Sequence, residues 1–233
     1  ADDTVLILMP MFHVAGTNIS FSGLAAGGRI VLLAEFVPSK VLGTLAAEHV
    51  AHVFLAPVMI NALLQTPGVE TTDFSSLRTV SYGASPISEA VLAKATKTFG
   101  CGFIQFYGMT ETTGAGTTLA PGDHRGQLLR SCGRPWATLE TRIADDDGNE
   151  AAVGEIGEIE IRGPIVMAGY WNRPEATAET IRPDGWLRTG DAGFMDADGF
   201  FFVHDRVKDM IVSGGENVYP AEVENAILGC PGV

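Results

Sequence analysis

Residues 104–118 carry the side chains of this chain that are best suited to chemistry. An apolar run of strand character at 103–107 ends at Gly108, and hydroxyl-bearing residues then surround one carboxylate, Glu111. The hydroxyl of Thr110 can bond a phosphate oxygen, and the hard oxygens of Glu111 suit Mg²⁺. Three glycines in the segment leave its backbone open to a ligand. These residues predict a site for a nucleotide phosphate with Mg²⁺; a solvated turn rich in threonine and glycine is the alternative.

Short apolar strands alternate with helices along the first 130 residues. We predict strands at 4–9, 29–33, 52–55, 77–82 and 103–107, and helices at 17–26, 39–49, 57–65 and 88–99. This alternation predicts an α/β fold in which a parallel sheet is flanked by helices on both faces. Ligands of such sheets bind at the carboxyl ends of strands. The segments YGASP at 82–86 and YGMTETT at 107–113 both follow strands, which favours a nucleotide site there.

The pattern changes after about residue 130, where turns rich in glycine and aspartate separate short strands. We predict these strands at 139–144, 157–162 and 200–204, with short helices at 174–181 and 220–228. The turns DDGN at 146–149 and DADG at 196–199 are typical of antiparallel connections. This region therefore predicts a small antiparallel barrel-like or sandwich subdomain.

The composition excludes some classes of function. The formal net charge is −13, whereas nonspecific binding of nucleic acid needs a basic surface. Three widely spaced cysteines indicate a reducing compartment and no metal site of paired cysteines. No apolar run approaches the roughly 20 residues of a transmembrane segment, and the first residues lack the basic start of a signal peptide. We therefore expect a cytoplasmic globular protein.

Six short motifs occur in the order that is typical of one enzyme superfamily. YGMTETT at 107–113 resembles the YGxTE signature of the adenylate-forming superfamily, which includes acyl-CoA synthetases, luciferases and peptide-synthetase adenylation domains. Five other segments resemble its further motifs: YGASP at 82–86, GEIEIRGP at 157–164, WLRTGD at 186–191, DRVKDMI at 205–211 and GGENVYPAEVE at 214–224. The last of these looks most like the acyl-CoA synthetase branch. The resemblance covers nearly the whole chain.

The resemblance implies which residues bind ATP. Tyr107 is expected to stack on adenine, and Gln105 to bind the exocyclic amine of that base. Thr110 is expected to donate a hydrogen bond to the α-phosphate, beside Gly108. The backbone of one more segment is expected to approach the other side of the ring: Gly83, Ala84 and Ser85. For Tyr107, a buried core aromatic is the alternative.

Two charged residues near the end of the chain are candidates for ribose binding. Asp191 ends the TGD of its motif, and a carboxylate can accept hydrogen bonds from both ribose hydroxyls. Arg206 carries a planar donor fork that suits ribose or phosphate oxygens. An ordinary loop aspartate and a surface ion pair are the alternatives.

The resemblance also implies contacts to the acyl group and to CoA. His13 and Met109 are expected beside the acyl substrate, and Gly214 and Gly215 beside the pantetheine arm. Lys208 matches the hinge at which the C-terminal domain of these enzymes swings between adenylation and thioester formation. A structural histidine, a hairpin turn and a solvated lysine are the alternatives.

The implied domain organisation has four parts. Residues 1–130 form the α/β subdomain of the N-terminal adenylating domain, 131–204 a β-rich subdomain, 205–209 the hinge, and 210–233 the start of a mobile C-terminal domain. The family places one lysine in a phosphate loop and another near its C-terminus, and none of the four lysines here matches either. We therefore expect an internal portion of a longer enzyme, inactive on its own.

The implied reaction is the ATP-dependent activation of a carboxylic acid, with a fatty acid as first choice. The acid becomes acyl-AMP and is then transferred to CoA, so that ATP, Mg²⁺ and CoA are required. The catalytic candidates are Thr110, Glu111 and Lys208, with Glu111 as the metal ligand. An aryl-CoA ligase and a noncatalytic module that binds a nucleotide or an acyl group are the alternatives, and the oligomeric state is left open.

Overall fold

The computed structural model describes residues 3–85, 87–206, 211–213, 216–218 and Ile227. The chain folds into two compact units. The first comprises Ala1–Thr110 and Leu119–Leu129, and the second comprises Glu111–Thr118 and Arg130–Val233. Within the described residues, no helix combines the length and the apolar character that crossing a membrane requires.

The first unit is built from four consecutive β–α–β crossovers. Its elements are β1 (Thr4–Ile7), α1 (Val14–Ala25), β2 (Arg29–Leu32), α2 (Pro38–Ala47), β3 (Val50–Leu55), α3 (Pro57–Leu64), β4 (Thr79–Gly83), α4 (Glu89–Phe99) and β5 (Gly102–Tyr107). The five strands pair in parallel in the order β2-β1-β3-β4-β5. The predicted α/β class, with a parallel sheet flanked by helices, is confirmed.

Helix α1 packs on the sheet differently from the other three helices. The strand order reverses at β1, so right-handed crossovers place α1 on one face and α2, α3 and α4 on the other. The apolar residues of those three helices form one core with the strands. Helix α1 instead buries Gly16, Ser20 and Gly23. Because a Cβ atom on Gly23 would lie 2.8 Å from the Cδ1 atom of Ile30, the small residues of α1 permit its close packing.

The helix boundaries follow from local capping. Helix α1 starts earlier than predicted because His13 caps it, with Nδ1 accepting a hydrogen bond from the backbone nitrogen of Ala15 at 3.1 Å. Ser88 caps α4 in the same way, and Gly100 ends that helix in the left-handed conformation. Helices α2 and α3 begin at prolines, which suit the first helical position.

The second unit is mostly antiparallel β-structure. Its elements are β6 (Thr117–Leu119), β7 (Arg134–Pro135), β8 (Glu140–Ala144), β9 (Gly157–Arg162), α5 (Pro174–Thr180), β10 (Leu187–Met195), β11 (Phe201–Arg206), β12 (Ile211–Ser213) and β13 (Glu216–Val218). Strands β8 to β11 form a curled half-barrel in the order β11-β10-β9-β8, and the pairs β6–β7 and β12–β13 are also antiparallel. The antiparallel subdomain is thus confirmed, although β10 was not among the predicted strands. The helix predicted at 220–228 lies outside the described residues except for Ile227.

A fully buried carboxylate ties the second unit together. Glu160 on β9 is 0% exposed, and its Oε2 atom accepts from Arg142 Nη2 at 2.7 Å while Oε1 accepts from Arg182 Nε at 2.5 Å. The indole of Trp186 lies between two guanidinium groups, those of Arg142 at 4.3 Å and Arg162 at 4.6 Å from the ring centre. A buried charge is tolerated only when it is paired. Removing the carboxylate of Glu160 would leave the guanidinium groups of Arg142 and Arg182 without their counter-charge.

We expect Glu160→Gln to lower the free energy of unfolding by about 3–5 kcal/mol, the cost of breaking a buried ion pair. The matched control is Glu140→Gln, because Glu140 pairs with Arg162 on the same sheet but is 62% exposed. This control should leave stability nearly unchanged, since exposed ion pairs are screened by water. Urea unfolding followed by circular dichroism measures both, and equal effects of the two substitutions would contradict the interpretation.

Candidate functional site

The carboxyl ends of β4 and β5 lie side by side in the first unit. Gly83 pairs with Phe106 in parallel register. A Cβ atom on Gly83 would lie 2.4 Å from the carbonyl oxygen of Phe106, so only glycine permits this approach. Ala84 then takes a left-handed backbone with φ of 70°, which is uncommon for a residue that has a Cβ atom. The chain therefore turns sharply after β4 and leaves Ala84 and Ser85 exposed.

The predicted adenine-binding residues of β5 share one face of the sheet. Gln105 and Tyr107 lie two residues apart on the strand, and side chains alternate between faces. Both are half-buried, so Tyr107 is not a fully buried core residue. Beyond the strand, Thr110 is exposed and Met109 is half-buried. The structure thus brings the predicted residues of 83–85 and 105–107 to one edge of the first unit.

A partly buried hydrogen bond between Tyr82 and His124 lies next to Gln105. The Tyr82 hydroxyl is 3.1 Å from His124 Nε2 and 3.4 Å from Gln105 Oε1. His124 Nδ1 is 2.8 Å from the carbonyl oxygen of Ala120, and because a carbonyl only accepts, Nδ1 donates and Nε2 is the acceptor for Tyr82. Burial lowers the pKa of His124 and raises the pKa of Tyr82, which keeps both side chains neutral near pH 7.

In the second unit, a loop holds Glu111 at both its side chain and its backbone. The Tyr170 hydroxyl donates to Glu111 Oε1 at 2.8 Å, and the backbone nitrogen of Met167 donates to the Glu111 carbonyl oxygen at 2.8 Å. The hydroxyl of Thr113 donates to the carbonyl oxygen of Ile165 at 2.8 Å. Residues 111–113 are therefore fastened to residues 165–170 at three points.

The carboxylate oxygens of Glu111 are of the type that binds a magnesium ion together with the phosphates of a nucleotide. A single hydrogen bond from Tyr170 leaves other carboxylate lone pairs to coordinate a hard cation. In the part of the chain that the structure describes, no group of three or more His, Cys, Asp or Glu residues could hold a metal ion. Mg²⁺ is usually bound by one or two carboxylates together with waters and substrate phosphates, so a site of this kind does not require such a group.

Asp191 and Arg206 are brought together by strand register. They lie opposite one another on β10 and β11. Gly190, with φ of +74°, allows the bulge that interrupts the pairing of β10 with β9. Its backbone nitrogen donates to Glu158 Oε1 at 2.9 Å, and the backbone nitrogen of Asp191 donates to Thr189 Oγ1 at 3.1 Å. Asp191 therefore lies within the bulge, a feature that commonly changes the direction of a side chain.

His13 has a structural role at a position where ligands often bind. It caps α1, as described above, and Gly16 in the next turn would place a Cβ atom 2.3 Å from the carbonyl oxygen of Pro10. The segment follows β1, where the strand order reverses, and sheets with this order bind ligands at the reversal. A role for His13 beside an acyl substrate remains a prediction.

Three predicted residues lie outside the described residues: Lys208, Gly214 and Gly215. Their roles as hinge and as contacts to CoA therefore stay predictions. The predicted domain boundaries at residues 204 and 209 also stay predictions.

Tyr170 and His124 were not predicted from the sequence as functional residues. Tyr170 is 59 residues from its partner Glu111, and His124 is 42 residues from Tyr82. No helical or strand periodicity relates positions so far apart. Only the folded chain reveals these contacts.

Comparison with known proteins identifies the family. The family model described as AMP-binding enzyme matches residues 1–171. The chain belongs to this family. Over its whole length it is 43% identical to the medium/long-chain-fatty-acid–CoA ligase FadD8 of Mycobacterium tuberculosis, of which it covers 40%. It is also 43% identical to a feruloyl-CoA synthase of Amycolatopsis sp., of which it covers 47%.

A solved structure in this AMP-binding enzyme family extends the comparison. The O-succinylbenzoate coenzyme A synthetase of Bacillus subtilis, in complex with ATP and magnesium ion, is 36% identical with a TM-score of 0.86. The match covers 97% of this chain and 46% of that protein. The chain thus spans less than half the length of the relatives that it matches.

We expect the stability of the wild-type protein to fall as the pH is lowered below about 6.5, the ordinary pKa of histidine. The pKa of His124 is lowered by burial, so below that pH the unfolded chain binds a proton that the folded chain does not. Stability therefore rises with pH in this window, and the dependence should be shallower in His124→Gln.

The control is His49→Gln, since His49 is an exposed histidine of the same unit. This variant should keep the wild-type slope between pH 5 and about 7. Urea unfolding at a series of pH values measures each slope. An unchanged slope in His124→Gln would show that another group causes the pH dependence.

Proposed function

We propose that this chain is part of an AMP-forming acid–thiol ligase. In the first half-reaction, a carboxylate oxygen attacks the α-phosphorus of ATP, the bond to the bridging oxygen breaks, and pyrophosphate leaves. In the second, the sulfur of CoA attacks the acyl carbon and AMP leaves. The observation that carries the proposal is the junction of β4 and β5. There Gly83 permits the close approach of the two strand ends, next to Phe106.

The residues of the first unit would bind the adenine and the α-phosphate. Tyr107 would stack on the base, and Gln105 would bind its amine on the same face of β5. The backbone at Ala84 and Ser85 is exposed, which supports an approach to the ring from the end of β4. Thr110, exposed after β5, would donate to the α-phosphate as charge develops there.

The residues of the second unit would bind the ribose and the metal. Asp191 and Arg206 lie opposite each other, which supports a joint role at the ribose hydroxyls. Glu111 would supply one magnesium ligand. The ion, when bound, would neutralise charge on the phosphates.

The remaining assignments concern the acyl group and the second half-reaction. His13 and Met109 would lie beside the acyl group. Lys208 would act as the hinge, and Gly214 and Gly215 would lie beside the pantetheine arm. These roles rest on the matching motifs of the sequence.

The acid is proposed to be a fatty acid. The identity to the fatty-acid ligase FadD8 supports this choice. The equal identity to a feruloyl-CoA synthase favours an aromatic acid as the second candidate. The two classes differ in the pocket for the acyl group, to which the resemblance assigns His13 and Met109.

Pyrophosphate–ATP exchange in the full-length protein tests the proposed reaction. We expect exchange that depends on a carboxylic acid and is fastest with medium- or long-chain fatty acids. Faster exchange with ferulate or benzoates than with fatty acids would show that the protein is an aryl-CoA ligase. If ATP binds but no acid of either class promotes exchange, the chain is part of a noncatalytic nucleotide-binding module instead.

We expect Asp191→Ala to weaken ATP binding about 10- to 150-fold, the equivalent of losing one charge-assisted hydrogen bond of about 1.5–3 kcal/mol. Calorimetry of the full-length protein with a nonhydrolysable ATP analogue measures the affinity. The control Asp198→Ala alters an exposed aspartate in the turn between β10 and β11 and should bind normally.

The 2′,3′-dideoxy form of the same analogue separates the ribose role from an indirect effect. Wild-type protein should prefer the parent analogue to the dideoxy form, and this preference should be much smaller in Asp191→Ala, where only Arg206 remains to contact the hydroxyls. A preference as large as that of wild type in the variant would contradict the ribose role of Asp191.

A further inference from the structure

The phenol of Tyr170 is directed at the carboxylate of Glu111. Its hydroxyl donates to Glu111 Oε1 at 2.8 Å, across 59 residues of sequence. Since an ionised carboxylate only accepts hydrogen bonds, the phenol of Tyr170 is the donor and Glu111 is the acceptor.

The backbone of Tyr170 is fixed from the other side by helix α5. Its nitrogen donates to Thr177 Oγ1 at 2.9 Å, and that hydroxyl donates to the carbonyl oxygen of Arg173 at 2.8 Å. Gly169 has φ of +146°, and a Cβ atom there would lie 2.7 Å from Thr177 Cγ2. The loop therefore approaches α5 so closely that only glycine fits before Tyr170.

The same loop also fixes the backbone of Glu111. The contacts from Met167 and to Ile165 described above hold residues 111 and 113. Glu111 is thus restrained at its carbonyl group and at its carboxylate by one loop. The carboxylate orientation depends on Tyr170 because the backbone contacts alone leave the side-chain torsions of Glu111 free.

Stability alone does not account for this contact. Tyr170 is 36% exposed, and Glu111 is half-buried. A hydrogen bond between partly hydrated groups adds little to folding because water replaces it readily. By contrast, hydrogen-bond partners of metal-ligating carboxylates fix the orientation of the ligand and change metal affinity 10- to 100-fold when they are removed.

We infer that Tyr170 is a positioning residue that orients Glu111 to bind magnesium. This inference rests on the proposed function, because it takes Glu111 as the metal ligand. The phenol would hold Oε1 and leave the remaining lone pairs of the carboxylate directed at the ion. Tyr170 itself would not contact the metal or the reacting atoms.

The test compares Tyr170→Phe with wild type in the full-length protein. Binding of Mn²⁺, used as a paramagnetic substitute for Mg²⁺, is measured by electron paramagnetic resonance with a nonhydrolysable ATP analogue present. We expect the variant to bind Mn²⁺ about 10- to 100-fold more weakly. The Mg²⁺ concentration for half-maximal pyrophosphate exchange should rise by the same factor, while the rate at saturating Mg²⁺ should approach that of wild type.

Trp171→Phe is the matched control. Trp171 is the next residue of the same loop and is 90% exposed, so its substitution should leave Mn²⁺ affinity and Mg²⁺ dependence unchanged. Should Tyr170→Phe fail to fold, as judged by circular dichroism, Thr177→Val replaces it. That variant keeps the phenol and removes the hydroxyl that anchors the Tyr170 nitrogen, and the same weakening of Mn²⁺ binding is expected.

A double-mutant comparison separates positioning from an independent effect. Glu111→Gln alone should weaken Mn²⁺ binding strongly, and adding Tyr170→Phe should change it less than about twofold, because the two residues act through one contact. A full additional loss in the double variant, or wild-type Mn²⁺ affinity in Tyr170→Phe, would overturn the inference. The proposed function fails separately, if wild-type protein shows no acid-dependent exchange.

Discussion

The approach of β4 to β5 at Gly83 is the constraint on which the candidate nucleotide site depends. A Cβ atom at this position would lie 2.4 Å from the carbonyl oxygen of Phe106, and Ala84, the residue that follows, has a left-handed backbone. The turn after β4 consequently exposes backbone at the same sheet edge to which β5 brings Tyr107. A larger residue at 83 would separate the two strand ends, and the proposed adenine contacts would be lost together.

The two units bury polar side chains in opposite ways. In the first, Tyr82 and His124 satisfy each other as neutral groups, since burial disfavours charge on both. In the second, Glu160 is buried as an ion and needs the guanidinium groups of Arg142 and Arg182. The neutral pair lies next to Gln105 in the first unit, whereas the charged cluster joins β8 to β9 in the second. Burial itself therefore does not mark the functional site.

The carboxylate of Glu111 is hydrogen-bonded to a residue that lies far from it along the chain. Glu111 lies in the short 3₁₀ helix Thr110–Thr112. Its carboxylate accepts a hydrogen bond from Tyr170 in the loop before α5, and Gly169 and Thr177 set the path of that loop. A site on a loop can be precise when a second loop is fastened to it.

The α/β class, the alternation of strands and helices, and the position of the motifs at strand ends could be predicted from the amino-acid sequence, because apolar periodicity and glycine placement are local signals. Glu111 and Asp191 were candidates for the same reason, since their chemistry follows from residue type. Strand β10 was not predicted, because its polar residues and Gly190 hide the alternation of a strand. The contacts of Tyr170 with Glu111 and of His124 with Tyr82, and the pairing of Asp191 with Arg206, are seen only in the folded chain. These pairings depend on register and on loops that close over dozens of residues, and no local pattern encodes a contact between groups so distant along the chain.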